Sequence, residues 1–562
     1  MVLGGLLAST TTPALGQALS TTPFSAYGAG DALALNLLSL PPTQLAGLRV
    51  AASAGTVSSA ATGVPAVVNE FGQNEAPARA DRNAYGRGSA IEAGILTQAP
   101  QTSDFNQIIL SGLAEAFAPP PSPLVTASLD IPVDPILSAS TGRGEAQATF
   151  DPVYCPVGRP LTFGRGFVEN LQLLGTGRDA NGLVDPVLGT STSAGNPRAT
   201  TQSRTVTYLF PNGDGTFGVA SETRQTVAPI EVAGLLIEVA GEYGMRVAAS
   251  GKPGGATVTT LGTPILTITG PLGVVLGPIT LGGVIPPGTL ALLDPILALL
   301  GITLDLGELP RALGGSGPPA LAADGTSASA ASDLLRLGLP LGLADLGLMH
   351  MEGSVSVPAG GIRCQIPVSK VSSIDPVTVG NDFTYTISIP NDAAFFQRFF
   401  NCDLVNISAV DTVVTESGTP RIQLLSASNG GVISGNTVTW ANLGNYTLGQ
   451  APIVLTISAR IPSNSGAGVL RNTVNVSATL GNCRGTGTGG EDIIGSAQLN
   501  GNAITGAVTL VGPTVTRGDL AATGGNSWPL VAGGGFLLAA MGLVRLRRRA
   551  EMVPATATTT ET

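Results

Sequence analysis

The stretch DFTYTISIP, residues 382–390, decides the fold class. Phe383, Tyr385, Ile387 and Ile389 fall on one side of an extended chain, and Thr384, Thr386 and Ser388 fall on the other. This is the period-two pattern of a half-buried β-strand. The same alternation runs through LVNISAVDTVV (404–414), NTVTWANL (436–443), APIVLTISARI (451–461) and VLRNTVNVSATL (469–480). Several such strands separated by turns predict an antiparallel β-sandwich over residues 361–483.

Outward from that stretch, composition extends the β reading to the rest of the chain. Among 562 residues there are 76 Gly and 41 Pro, only 11% charged and 4% aromatic residues, and a mean hydropathy of +0.33. Glycine and proline recur too often for long helices, and charge is too sparse for ordinary disorder. The expected fold is mainly β: a large Gly/Pro-rich β region over 19–360 whose short strands are joined by Gly/Pro turns, the sandwich over 361–483, a linker with room for further strands over 484–519, and a C-terminal hydrophobic helix within 520–562.

A net charge of −10 and a pI near 4.7 argue against nucleic acid as a partner. Lysine occurs only at Lys252 and Lys370, which fits an acidic, Thr-rich extracellular protein. Cys155, Cys364, Cys402 and Cys483 are widely spaced with no CxxC pair, so neither a zinc site nor a thioredoxin-type motif is indicated. In an exported chain these four are candidate disulfide partners with three connectivities.

Both ends speak of export. Residues 1–18, MVLGGLLASTTTPALGQA, combine an apolar run with small residues at Ala14, Gly16 and Ala18. They read as a signal peptide, and the missing basic n-region points to a true start upstream. At the other end, Trp528 to Val544 is uncharged and apolar, close to the minimum for spanning a bilayer, and Arg545, Arg547, Arg548 and Arg549 follow. Leu520, Ala521, Ala522, Thr523 and Gly524 stand just before it. The order of pentapeptide, apolar segment and basic tail resembles the cell-wall sorting signal of Gram-positive bacteria, in the LAxTG form read by class E sortases of actinobacteria. The resemblance implies that a sortase cysteine attacks the Thr523 carbonyl, releases the piece beginning at Gly524 and passes the acyl group to an amine of the peptidoglycan precursor, so that contact with the membrane is transient. Ala521 departs from the commoner Pro, and a further tail follows the arginines. The alternative is a permanent single-pass anchor with the N-terminal part outside.

Within 361–483, the phrases PVSK, DPVTVGNDFTYTISIPN, AVDT, GNTVTWANLG and LRNTVNVSA resemble the conserved-repeat, Ig-like domain of bacterial surface proteins. Lys370 shares parity with Ile366 and Val368, Asp411 with Val405, Ile407 and Ala409, and Asn472 with Val474 and Val476. All three polar side chains are therefore expected to face the core. Burying a lysine, an acid and an amide is costly unless they satisfy one another. Related Ig-like adhesin modules form a spontaneous Lys–Asn isopeptide bond, which implies a Lys370–Asn472 bond assisted by Asp411. The bland alternative has Asp411 and Asn472 holding turns and backbone amides while Lys370 snorkels outward.

In the larger region, TVTYLFPNGDGTFGVAS (205–221) reads as a hairpin. Asn212, Asp214 and Thr216 have a calcium-loop spacing, but Phe217 stands where such a loop needs glycine. The charge-free run between Lys252 and Asp294 is broken by prolines and reads as short buried strands, with TLALLDPILALLGI (289–302) as a short helix. The phrases NAYGRGSAIEAG (83–94), YCPVGRPLTFGRG (154–166) and LADLGLMHMEGSVSVPAGGIRC (343–364), with the module and tail that follow, resemble the choice-of-anchor G group of actinobacterial surface proteins, a resemblance that brings no activity with it.

The function expected is a structural or adhesive surface protein, exported and wall-anchored, with no cofactor and no metal. An enzyme is not expected: His350 is the one histidine and sits in the apolar phrase LGLMHMEG, where a structural role is the expectation. The alternative from a different class is a secreted hydrolase with a carboxylate site in 19–360. Two acids converging in one concave pocket would favour it, and a surface without such a pocket would favour adhesion.

Overall fold

In a computed structural model of the chain, the described residues run from 23 to 511, apart from 97–104, 129–136, 174–187, 191–199, 281–302, 483–497 and breaks of five residues or fewer. They are mainly strand, and the one described α-helix is Ala393–Phe399. The described residues up to 511 belong to one compact unit.

Two large antiparallel sheets lie face to face in the first half. The first has the strand order Thr303–Asp305, Leu335–Gly338, Ala344–Ser356, Ser25–Leu40, Thr43–Ser58, Ala84–Leu96 and Phe105–Ser111. The second runs Ala256–Leu261, Tyr243–Ala249, Thr216–Thr226, Thr200–Pro211, Thr162–Glu169, Thr141–Ala148 and Ser122–Ser128. The hairpin at 205–221 forms as read, with Pro211 opposite Phe217. Short strands from Leu137–Ser138 to Val275–Thr280 build a third sheet. Of the strands after Lys252, Ala256–Leu261 is largely exposed because it is an edge strand of the second sheet, and Ile265–Thr269 in the third alternates, with Leu266 and Ile268 buried. The helix expected over 289–302 lies outside the described residues.

Glycine works differently from the composition-based expectation of short strands and Gly/Pro turns. Ser25–Leu40 and Thr43–Ser58 are 16 residues each. Gly28, Gly30, Gly55, Gly86, Gly88, Gly164 and Gly166 sit inside strands, where an added Cβ would lie under 3.0 Å from atoms of the facing sheet. Their missing side chains let the backbones approach closely, and small hydroxyls fill the seam. Ser53 Oγ lies 2.8 Å from Ser203 Oγ and 2.9 Å from Thr205 Oγ1, while Thr205 Oγ1 is 3.0 Å from Thr223 Oγ1. Buried hydroxyls paired in this way avoid the desolvation cost of orphaned ones.

The chain leaves this pair of sheets through Ile362–Arg363, which pairs with Phe217 and Thr216. It then forms the smaller sandwich. One sheet has the order Ser369–Ser372, Asp382–Ile389, Ile453–Arg460, Gln423–Ala427, and Asp382–Ile389 shows the alternating burial its sequence predicts. The facing sheet is built on Asp403–Gly418 and Gly468–Gly481 and takes in Gln498–Ile504 and Val508–Val511 from the stretch read as a linker. The helix seals one end of this core, its Phe396 stacked on Phe400 at 4.3 Å and edge-on to Tyr446 at 5.5 Å. The sandwich packs on the larger region, where Arg159 Nη2 donates to the Gln397 carbonyl at 2.6 Å.

Candidate functional site

The smaller sandwich brings the three predicted polar residues into its interior. Lys370 lies on the edge strand opposite Ile387. In the facing sheet Asp411 pairs with Val474 and Val413 with Asn472, so Asp411 and Asn472 are diagonal neighbours on one face. Lys370, Asp411 and Asn472 are 6%, 0% and 0% exposed. Lys370 Nζ donates to Asp411 Oδ2 and lies 5.2 Å from the centre of the Tyr385 ring. Asp411 Oδ1 is buried and finds no donor among the described residues. Burial pushes the Lys370 amine down to about 6. The neutral amine, which is the nucleophilic form, is therefore accessible near neutral pH, beside a carboxylate able to take its proton.

A second polar centre, unforeseen apart from His350, lies in the first sheet. Arg49 is 1% exposed and donates to Asp31 at 2.8 Å, to both oxygens of Glu75 at 2.6 and 2.7 Å, and to Glu92 at 3.3 Å. Arg87 pairs with Glu92 at 2.7 Å. Next to it His350 is held between Asp333 at 2.7 Å and Glu352 at 2.9 Å. Burial alone would lower the His350 pKa, but the two carboxylates override it and raise it to about 10, so the ring is an imidazolium. Ala51 and Met349, with φ of 50° and 53°, interrupt strict alternation in the two strands that carry Arg49 and His350.

The same centre borders a cavity of about 880 Å³ lined by Tyr27, Val57, Val64, Glu70, Arg79 and Glu352. Glu70, His350 and Glu352 place ligand-type atoms within 4.8 Å of one another, a spacing a metal could use. Each is already engaged. Glu70 takes both guanidinium nitrogens of Arg311 and the Gly314 amide; Glu352 accepts from Tyr27 and the Glu70 amide. Burial raises the Glu70 carboxyl, yet its bonds to Arg311 outweigh that and hold it below the usual carboxylate range. The arrangement has the chemistry of an interior ion-pair network rather than of an acid–base pair.

Around the Asn212 to Thr216 turn, Asp214 caps Thr216 and pairs with Lys252 at 2.6 Å, so its carboxylate serves the hairpin. Cys364 and Cys402 are both disulfide-bonded. Cys155, Cys483, residues 1–18, the pentapeptide 520–524 and the segment 528–544 lie outside the described residues. No described helix is long and apolar enough to cross a membrane.

No family model matches the chain, and no curated protein does. Among solved structures, the chain is similar to a protein from Corynebacterium diphtheriae described as a candidate membrane-anchored protein, with 10% identity, 88% of this chain and 97% of the other covered, and a TM-score of 0.15. It is also similar to a DUF4466 family protein from Parabacteroides merdae, with 15% identity and a TM-score of 0.12, over 26% of this chain and 45% of that one. At these scores neither likeness transfers a fold or a role.

Proposed function

We propose that the chain is an exported surface protein, joined to the cell wall at Thr523 by a sortase, with a structural or adhesive role and a covalently locked Ig-like module. The observation that carries the anchoring is the C-terminal order of Leu520 to Gly524, the apolar segment Trp528 to Val544 and the arginines after it. The disulfide-bonded state of Cys364 and Cys402 fits export.

The interior of the module supports the lock. Lys370 Nζ, relieved of its proton by Asp411, attacks Cγ of Asn472. The new Nζ–Cγ amide bond forms as the Cγ–Nδ2 bond breaks, and the proton returned by Asp411 leaves with the side-chain nitrogen as ammonia. Low exposure of all three residues excludes water from the competing hydrolysis. The bond would tie the edge strand Ser369–Ser372 to Gly468–Gly481 in the other sheet, a cross-link between the two faces of the sandwich.

Mass spectrometry of the peptide released by muramidase from detergent-boiled walls tests the anchoring. A peptide ending at Thr523 and joined to a wall fragment is expected; recovery only from membranes with Gly524 to Thr562 attached would replace the sortase with a permanent anchor. Intact mass, corrected for disulfides and processing, tests the lock: the chain should lack one ammonia, and a Lys370→Ala variant should not.

The hydrolase alternative has one observation in its favour, since Glu70 and Glu352 share the wall of one cavity. Their full engagement by Arg311, His350 and Tyr27 supports the structural reading instead.

A further inference from the structure

The outer face of the second sheet carries a charge pattern that folding alone disfavours. Arg165 stands directly opposite Arg204, and Arg204 directly opposite Arg224, on three neighbouring strands. Like charges in directly opposed positions destabilise a sheet. Arg143 lies opposite Phe167 and Arg246 opposite Glu222, bringing five arginines onto one face. The acids on the same face are Glu145, Glu169, Glu222 and Glu242. Five cations against four anions leave a local charge of +1 in a chain whose formal net charge is −10.

These guanidiniums are already held in place. Arg165 donates to Gln202 at 2.8 Å, Arg224 to Glu222 at 2.5 Å and Arg246 to the Tyr208 hydroxyl at 2.9 Å. Arg143 and Arg165 both lie over the Phe167 ring, at 5.9 and 5.8 Å. Their side chains nevertheless remain 49% and 29% exposed, and that of Arg224 23%. A concavity of about 450 Å³ is lined by Arg143, Arg165, Arg204 and Arg224 together with Glu145 and Glu242.

We propose that this face binds an acidic glycan, with carboxylate or sulfate groups on the arginine row and sugar rings against the flanking aromatic and aliphatic surface. Arginine forks engage carboxylate and sulfate oxygens in pairs, and forks fixed before binding lose less entropy on it. Arginines repeated at the strand spacing of about 4.8 Å offer several contacts to one chain, which suits a polyanion better than a single ion. The acids between them raise the cost of a uniformly charged phosphate backbone. The proposal concerns recognition and does not depend on how the protein is anchored.

Isothermal titration of the full chain in mild detergent tests it, with a sulfated heparin-type oligosaccharide, an oligogalacturonate and a neutral dextran oligosaccharide as probes. Binding of one or both acidic probes, weakening with added salt, and none of dextran is expected; the preferred acidic probe identifies the acid group. Arg204→Gln and Arg165→Gln should each weaken it at least about tenfold, the loss of one charged hydrogen bond. Arg204→Gln should leave the thermal midpoint unchanged or raised, because it removes the central like charge. Arg143→Gln, at a more exposed position, provides the same test if an inner variant fails to fold. Equal binding by wild type and variants, binding of dextran as tight as that of the acids, tighter binding of a single-stranded oligonucleotide, or no binding of either acidic probe would overturn the proposal.

Discussion

Replacing Gly164 with alanine tests whether the seam between the two large sheets is as tight as the geometry requires. The added Cβ would lie 1.9 Å from the Arg87 carbonyl oxygen and 2.6 Å from that of Ala54. Both are backbone atoms in central strands of the facing sheet, so no rotamer change relieves the clash. Reaching the 3.0 Å floor for real Cβ contacts from 1.9 Å needs a local separation of about 1.1 Å. The hydroxyl contacts across the seam, such as the 2.8 Å Ser53–Ser203 pair, cannot survive that displacement. Overpacking of about 1–3 kcal/mol and the loss of one or two hydroxyl bonds at about 1 kcal/mol each give a destabilisation of roughly 3 kcal/mol or more. For a unit of this size, with an unfolding entropy of about 2.1 cal/mol/K per residue, that corresponds to a fall of about 3 °C in Tm. Differential scanning calorimetry of Gly164→Ala should be compared with Gly317→Ala, where nothing lies within 4 Å of the new carbon. Equal midpoints for the two variants would refute the close-packed seam.

Three further outcomes follow from the buried charges. Arg49→Leu strands Asp31, Glu75 and Glu92 in the interior and should cost about 3–5 kcal/mol in chemical denaturation, with part recovered by adding Glu75→Gln. His350 and Glu75 have folded pKa values raised to about 10 and about 7, so each contributes stability that is complete below its unfolded value and lost as pH rises through the folded one. Tm should therefore decline from pH 5 toward pH 10, and His350→Gln should flatten the part above pH 7; an unchanged profile in that variant would remove the imidazolium from the network. Asn472→Ala should restore a free Lys370 amine, depressed from 10.5 to about 6 by burial, and the unlocked module should then gain stability as pH rises between those values. If the variant and the wild type show the same slope there, no lock exists in the wild type.

The difference between what the sequence discloses and what it hides follows from how many faces of a strand are covered. Asp382–Ile389 has one buried face, so Phe383, Tyr385, Ile387 and Ile389 announce both the strand and its inner side. Residues 47–57 of Thr43–Ser58 are buried on both faces, and LRVAASAGTV shows no period-two contrast from which to read a side. Its glycine and serine are chosen by the nearness of the facing sheet, a long-range fact that composition presents as turn content. Charge is hidden in the same way. Asp31, Arg49 and Glu92 each stand alone in an apolar phrase, which is the one local signal that they are interior, but only the register that sets Arg49 opposite Glu92 and Asp31 opposite His350 joins them into a network. Lys370, Asp411 and Asn472 lie between these cases: parity indicates that each points inward, and the diagonal of Asp411 and Asn472 across one ladder, with Lys370 facing it, exists only once the sandwich closes. An interior amine beside an acid and an amide is costly as mere packing, a cost that the Lys370–Asp411 hydrogen bond offsets in part and that the proposed Lys370–Asn472 bond would remove.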